Sequence, residues 1–196
     1  KDSTELSHIT GMLNKVALAN PGIALKLVHN DKVVFDYPKS SDLISRIAEV
    51  FGTTTAEAMI PLFYGSSVFQ IDGYIGKPLL SRSTSQHQHI FVNGRPIQNF
   101  ILAARIKDAY KTMLMEHKKP VFVLNIKIDP ALIDVNVHPR KIEVRFEDQQ
   151  AVIKAVYGCV KVALEKANLI PKGFSESRHY TSDRFPASSI ARPRVE

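Results

Sequence analysis

The apolar residues of this chain change period twice within one continuous stretch, and that change restricts the fold more than any other feature. Over residues 98–117, Leu102, Ile106, Ala109, Tyr110, Met113 and Leu114 recur at helical spacing, with Arg105, Lys107, Asp108 and Lys111 on the remaining faces. Over residues 121–128, 133–137 and 141–146 the period falls to two, as in strands. Over residues 148–167 the helical spacing returns, with Val152, Ile153, Val156, Cys159, Val160, Ala163 and Leu164 on one side. Helices with one apolar stripe and strands with one apolar face bury those surfaces best against each other, so this order predicts helices packed on a sheet.

The earlier part of the chain extends the pattern. Residues 4–19 carry Leu6, Ile9, Leu13, Val16 and Ala17 on one stripe, follow a cap at Ser3 and stop before Asn20-Pro21-Gly22, which predicts an amphipathic helix. Residues 23–29 and 32–37 are β-rich runs around Asn30-Asp31, a hairpin signal. Residues 42–51 form a short helix with Leu43, Ile44, Ile47 and Val50 inward, and residues 53–60 add a further turn or two. Strands follow at 67–75 and 89–92, separated by a loop that carries Lys77-Pro78 and Arg82. The whole reads as a mixed sheet covered by helices, with no internal repeat. Beyond Pro171 the periodicity ends, and residues 172–196, rich in Ser, Pro and Arg, read as a linker or tail.

Composition narrows the function classes. The chain opens at Lys1 and has neither a signal-peptide pattern nor an apolar run of membrane-spanning length, which predicts a soluble intracellular segment of a longer protein. The lone Cys159 excludes an internal disulfide and a cysteine metal cluster. The net charge is +7, and residues 1–170 still hold 21 basic residues against 16 acidic, so the excess belongs to the folded part and points weakly to a polyanionic partner. His87 and His89 share a strand face but lack a matching cluster of metal ligands, and a satisfied or exposed pair is the plainer reading. Gly65-Ser66-Ser67 lacks the second glycine of a nucleophile elbow, and neither a phosphate-binding loop nor a dinucleotide fingerprint occurs.

Two stretches carry candidate chemistry. In residues 134–146, Ile133, Val135 and Val137 share one face, as do Ile142, Val144 and Phe146 after the turn. Pro139 interrupts the ladder, so Arg140 and Lys141 protrude near a tight connection. Lys141 suits a terminal phosphate, and it equally suits the role of a solvated turn residue. The second stretch is His89-Ile90-Phe91-Val92-Asn93-Gly94-Arg95-Pro96, a strand ending in an Asn-Gly turn that feeds the long helix. Arg95, with Arg105, Lys107 and Lys111 on the helix and Lys118 and Lys119 at its end, can form a continuous basic surface for phosphates. A solvated polar helix face is the alternative.

Phe91-Val92-Asn93-Gly94-Arg95, followed by Asp134-Val135-Asn136-Val137-His138-Pro139 with Lys141, Glu143, Val144, Arg145 and Phe146, resembles the MutL family of DNA mismatch repair proteins. The resemblance implies an α+β fold, a two-layer α/β transducer domain of ribosomal-protein-like type with a left-handed βαβ crossover, following a GHKL ATPase domain. It implies residues 1–20 as a linking helix, 21–168 as the transducer domain and 169–196 as linker or tail. It implies that Lys141 contacts the terminal phosphate of ATP in the neighbouring domain, and that Arg95 lies in a DNA-binding groove, which the residue pattern would extend along Arg105, Lys107, Lys111, Lys118 and Lys119. Position 140 departs from the family in being Arg rather than a small residue, and the 76–88 loop has its own sequence. The resemblance further implies no catalytic residue, metal or cofactor in this segment, with ATP and Mg bound by the full-length protein. Implied partners are DNA, the protein's own ATPase domain, a MutS-type mismatch-recognition protein and a second copy in a homodimer, with no membrane. The implied location is cytoplasmic and nucleoid-associated in a bacterium, or nuclear in a eukaryote. Two other function classes fit the residues less well: a stand-alone nucleic-acid-binding module of ribosomal-protein-like fold, and a small enzyme using Lys141 or His138.

Overall fold

A computed structural model describes residues 2–135, 137 and 143–167. The chain starts with helix α1 (Asp2–Ala19) and a hairpin of β1 (Leu25–His29) and β2 (Lys32–Tyr37). Asn30 and Asp31 hold the turn at φ 49° and 59°, the left-handed region that a two-residue hairpin loop needs and that Asn and Asp tolerate. The hairpin is its own two-stranded sheet, and Phe35 and Tyr37 pack with Ala17 and Leu13 of α1. The buried face of α1 is therefore rotated from the expected stripe. Leu13, Ala17 and Leu18 face inward, whereas Ile9 and Val16 are 49% and 39% exposed, because α1 meets the hairpin and the next helix mainly through its second half.

Helix α2 (Leu43–Phe51) is capped by Asp42, whose carboxylate accepts from Ser45 N at 2.8 Å. Its Arg46 is fully buried. The guanidinium donates to the carbonyls of Pro21 and Ile23 at 2.7 Å and Pro38 at 2.9 Å and pairs with Glu49 at 2.7 Å, tying both ends of the hairpin to α2. The short helix α3 (Thr53–Glu57) follows.

Strand β3 (Met59–Gly65) was not expected from the sequence, which reads residues 53–60 as helical and leaves 61–65 unassigned. Pro61 hides it, and the strand accommodates proline because β3 lies at the edge of the sheet. β4 (Phe69–Gly76), β5 (Gln88–Val92), the three-residue β6 (Arg95–Ile97) and β7 (Phe122–Ile128) complete a five-stranded sheet in the order β3-β4-β7-β5-β6. All pairs are antiparallel except β5 with β7, which are parallel and joined through β6 and helix α4 (Phe100–Tyr110). Gly73, at φ 142°, permits the close approach of β4 to β7, since a Cβ there would overlap the Val123 carbonyl.

The helix expected over 98–117 is shorter. It ends at Tyr110, whose buried hydroxyl donates to Gly76 O at 2.6 Å, and Lys111 turns the chain at φ 42° into one 3-10 turn. Met113 and Leu114 still pack on the core, but after the helix rather than within it. β8 (Ile133–Asp134) and β9 (Arg145–Phe146) pair antiparallel as a separate two-stranded unit. Helix α5 (Gln149–Lys166) closes the described chain.

Strict alternation divides the sheet. Ile90, Val92, Phe122, Leu124 and Ile126 point to α4 and α5 and form the main core with Ile106, Val152 and Val160. On the opposite face Phe91, Val121 and Val123 pack with Leu18, Ile47 and Ala56, so α1 to α3 cover that face only in part. The result is an α+β molecule with a mixed sheet.

Candidate nucleic-acid interface

The Asn93-Gly94 turn joins β5 to β6 with both residues at positive φ, 49° and 78°. The Asn93 side chain has a second task that its turn propensity does not disclose. Its amide Nδ2 donates to Ile128 O at 2.8 Å while Oδ1 accepts from Ile128 N at 3.0 Å, and its backbone N–H donates to Ile126 O at 2.9 Å. The amide thus imitates one more residue of the parallel ladder and locks the turn to the end of β7. Ile128 leads directly into the 129–146 stretch, so the Asn-Gly-Arg turn and that stretch share one anchor. Arg95 is exposed on β6 and has no side-chain partner among the described residues.

The remaining candidate cations fall along α4 and past its end. Asn99 caps the helix, accepting from Leu102 N at 2.9 Å. Arg105 pairs with Asp108 at 3.1 Å, which partly neutralises it, and Lys107 Nζ donates to Glu116 O at 3.0 Å. Lys111 is exposed at the helix end. Lys118 and Lys119 do not extend the helix. They lie in the segment before β7, where Lys119 bridges Arg82 and Lys118 Nζ donates to Ser83 Oγ at 3.3 Å. The parallel register runs from Gln88↔Phe122 to Val92↔Ile126, and Arg95 pairs with Val92, which puts Arg95 at one end of the strands and Lys119 past the other. At about 3.3 Å per residue the two are separated by roughly 20 Å. The candidates form a line with two ends rather than one pocket.

His87 and His89 both pack against Phe51, with ring centroids at 4.8 and 5.6 Å. Burial, followed by the charges of Lys15 and His87, pushes the His89 imidazole down to about 4, while burial and then Arg82 lower that of His87. Both rings are held neutral at pH 7. Among the described residues no group of three or more His, Cys, Asp or Glu is placed to hold a metal ion. Burial pushes the Cys159 thiol up to about 12, which suits a packing role rather than a nucleophile.

A cleft of about 230 Å³ opens between the first turns of α4 and α5, lined by Asn99, Phe100, Ile101, Val137, Glu143 and Arg145. Phe100 stands at this cleft 81% exposed. Lys141 lies outside the described residues, as do Asn136, residues 138–142 and the tail; Val137 and Glu143, which bracket the Lys141 segment, line the cleft.

Residues 47–165 match the family described as DNA mismatch repair protein, C-terminal domain. The chain is 39% identical over 188 residues to the DNA mismatch repair protein MutL of Shouchella clausii, covering 96% of this chain and 29% of that protein. It is 35% identical to the MutL of Halalkalibacterium halodurans, covering 97% of this chain and 31% of that one. It therefore spans about three tenths of these curated relatives. The fold is shared with the N-terminal domain of a DNA repair protein, at TM-score 0.68 and 21% identity over 81% of this chain and 53% of that one. A MutL ATPase domain from Aquifex aeolicus complexed with ADP matches at TM-score 0.51 and 19% identity over 80% of this chain and 49% of that one. The paired motifs in the sequence, the match over residues 47–165 and the relatives at 35–39% identity lead to one assignment: the chain belongs to the MutL family of DNA mismatch repair proteins.

Proposed function

We propose that this chain is the middle, transducer-type region of a MutL-type mismatch repair protein, coupling ATP binding in an adjacent GHKL ATPase domain to conformational change and DNA binding. The observation that carries the reading is the Asn93 amide pair with Ile128, which joins the Arg95 turn to the strand feeding the Lys141 segment. A shift in that segment, driven by differential contact with bound ATP, has a short covalent and hydrogen-bonded route to the Arg95 turn. In this reading the β5–α4–β7 unit is the left-handed crossover of the ribosomal-protein-like type. ATP and Mg are held by the ATPase domain, and Lys141 meets the terminal phosphate. DNA lies along Arg95, Arg105, Lys107, Lys111, Lys118 and Lys119. A MutS-type protein and a second copy of the full-length chain are the protein partners, and the setting is the bacterial cytoplasm. The chain by itself contributes no catalytic group and hydrolyses no ATP.

The test is duplex binding by the chain across a salt series. Binding through phosphates is sequence-independent and falls with salt, because each neutralised phosphate releases counterions. Arg95→Glu lowers affinity alike on unrelated sequences and flattens the salt slope. Unchanged affinity at low salt removes Arg95 from the interface.

A further inference from the structure

Beyond the line of cations along α4, the 77–85 loop brings a cation to the Lys118-Lys119 segment that the sequence did not connect with it. Arg82 N donates to Lys119 O at 2.9 Å and Lys119 N donates to Arg82 O at 2.8 Å. Residues that exchange both bonds in an antiparallel bridge have Cα atoms about 5.5 Å apart and side chains on the same side. Arg82 and Lys119 are therefore two like charges set directly opposite, an arrangement that weakens a ladder. The next pair outward, Ser83 with Lys118, meets on the reverse side through the 3.3 Å bond of Lys118 Nζ to Ser83 Oγ.

Three observations indicate that this juxtaposition serves a ligand. The first is that no acid among the described residues pairs with it. The ion pairs among the described residues join Lys26 to Asp36, Arg46 to Glu49, Arg105 to Asp108 and Lys127 to Asp72, and none includes Arg82, Lys118 or Lys119. The second is that the three cations are half-buried, and the backbone beneath them is pinned. Phe122 N donates to His87 O at 3.0 Å, and Gln88 Nε2 donates to Pro120 O at 3.0 Å. The third is that the Arg82 charge is felt by His87, whose pKa it helps to lower after burial.

We propose that Arg82 and Lys119 together seat one phosphodiester group of a nucleic-acid backbone, at the end of the sheet opposite Arg95. An oxyanion between the two side chains turns their repulsion into two charge-assisted hydrogen bonds, and the forked guanidinium of Arg82 can take two oxygens while Lys119 supplies a point charge. The proposal rests on the reading that the chain binds DNA, and it adds a second, separate contact. Arg95, opposite Val92 in the β5–β6 register, lies roughly 20 Å away at the other end of the sheet, so the two contacts are separate.

The experiment uses the chain, a 20-base-pair duplex and inorganic phosphate as probes. Variants are Arg82→Gln, Lys119→Gln, the double variant, Arg95→Glu, and Lys26→Gln as a control for loss of charge elsewhere. Arg82→Gln and Lys119→Gln each lower duplex affinity about tenfold at low salt and each reduce the slope of log K against log salt by about one. The double variant reduces the slope no further, because both side chains share one phosphate. Neutralising either cation raises the Tm of the unliganded chain by roughly 1–4 °C at low salt, since a like-charge pair is relieved. A merely structural pair would lower it. Phosphate raises the wild-type Tm, and the single variants lose that rise. If Arg95→Glu weakens DNA while the Arg82 and Lys119 variants behave as Lys26→Gln, the seat is refuted and DNA binding stands. If no variant changes duplex affinity, the DNA reading itself fails. If phosphate stabilises in an Arg82-dependent way while duplex affinity is indifferent to Arg82, the occupant is a free phosphate and the nucleic-acid assignment is overturned.

Discussion

Removing the Asn93 amide should loosen the turn that presents Arg95 without removing any charge. The side chain makes two neutral hydrogen bonds to the backbone of Ile128, at 2.8 and 3.0 Å. At roughly 0.5–1.5 kcal/mol each, they contribute about 1–3 kcal/mol. Asn93 also sits at φ 49°, so the choice of substitution separates the amide from the backbone. Asn93→Gly accepts that φ freely, and its cost is the amide alone; for a chain of this size it lowers Tm by about 2–12 °C. Asn93→Ala loses the same bonds and adds about 1–2 kcal/mol for a Cβ in the left-handed region. Asn93→Asp keeps an acceptor for Ile128 N but sets a carboxylate against Ile128 O, so it should fall below Gly at neutral pH. Thermal melts of the three variants, with amide exchange at Ile128, give the ranking. DNA affinity should drop in Asn93→Gly although every cation is retained. Wild-type stability and an equally protected Ile128 amide in Asn93→Gly would show that the amide ties nothing together.

Arg46→Ala leaves three carbonyls and Glu49 without the buried guanidinium, a loss of about 3–5 kcal/mol, read as earlier denaturant unfolding with enhanced amide exchange in the β1–β2 hairpin. Stability should decline on acidification through His89. Its folded pKa of about 4 lies below the unfolded value near 6.5, so below 6.5 the unfolded chain takes up a proton that the folded chain refuses, and the loss levels off below about 4. The loss is on the order of 3 kcal/mol, and His89→Phe should flatten it in melts taken across that range. In the full-length protein Lys141→Ala should weaken ATP more than ADP by roughly 1.5–3 kcal/mol, and an unchanged affinity ratio returns Lys141 to the role of a solvated turn residue.

Elements whose apolar pattern coincided with their hydrogen bonding were legible from the residues alone. The helically spaced inward stripe of α5, to which the structure adds only Ala155, and the Asn30-Asp31 hairpin are of this kind. Where packing and hydrogen bonding part company, the pattern misleads. Met113 and Leu114 keep helical spacing and remain packed on the core, yet the helix has already ended at Tyr110, because burial does not require the helix to continue. β3 and β6 escape notice since Pro61 and Pro96 break the look of a strand, and β6 has only three residues. The site divides in the same way. Arg95 is visible beside its Asn-Gly turn, whereas the Arg82–Lys119 bridge joins loops far apart in sequence, and only the strand register brings them together. The Asn93–Ile128 tie likewise needs the parallel pairing of β5 and β7, which no local signal encodes.

The two prolines that hide the outer strands bear on how the molecule avoids associating with its own copies. β3 and β6 are the margins of the five-stranded sheet, where unpaired N–H and C=O groups could recruit a strand from another molecule. Pro61 removes a donor within one margin and Pro96 within the other. Neither border then offers an unbroken row of hydrogen-bonding groups for edge-to-edge growth. A sheet guarded in this way can meet other copies rim to rim without starting a fibril.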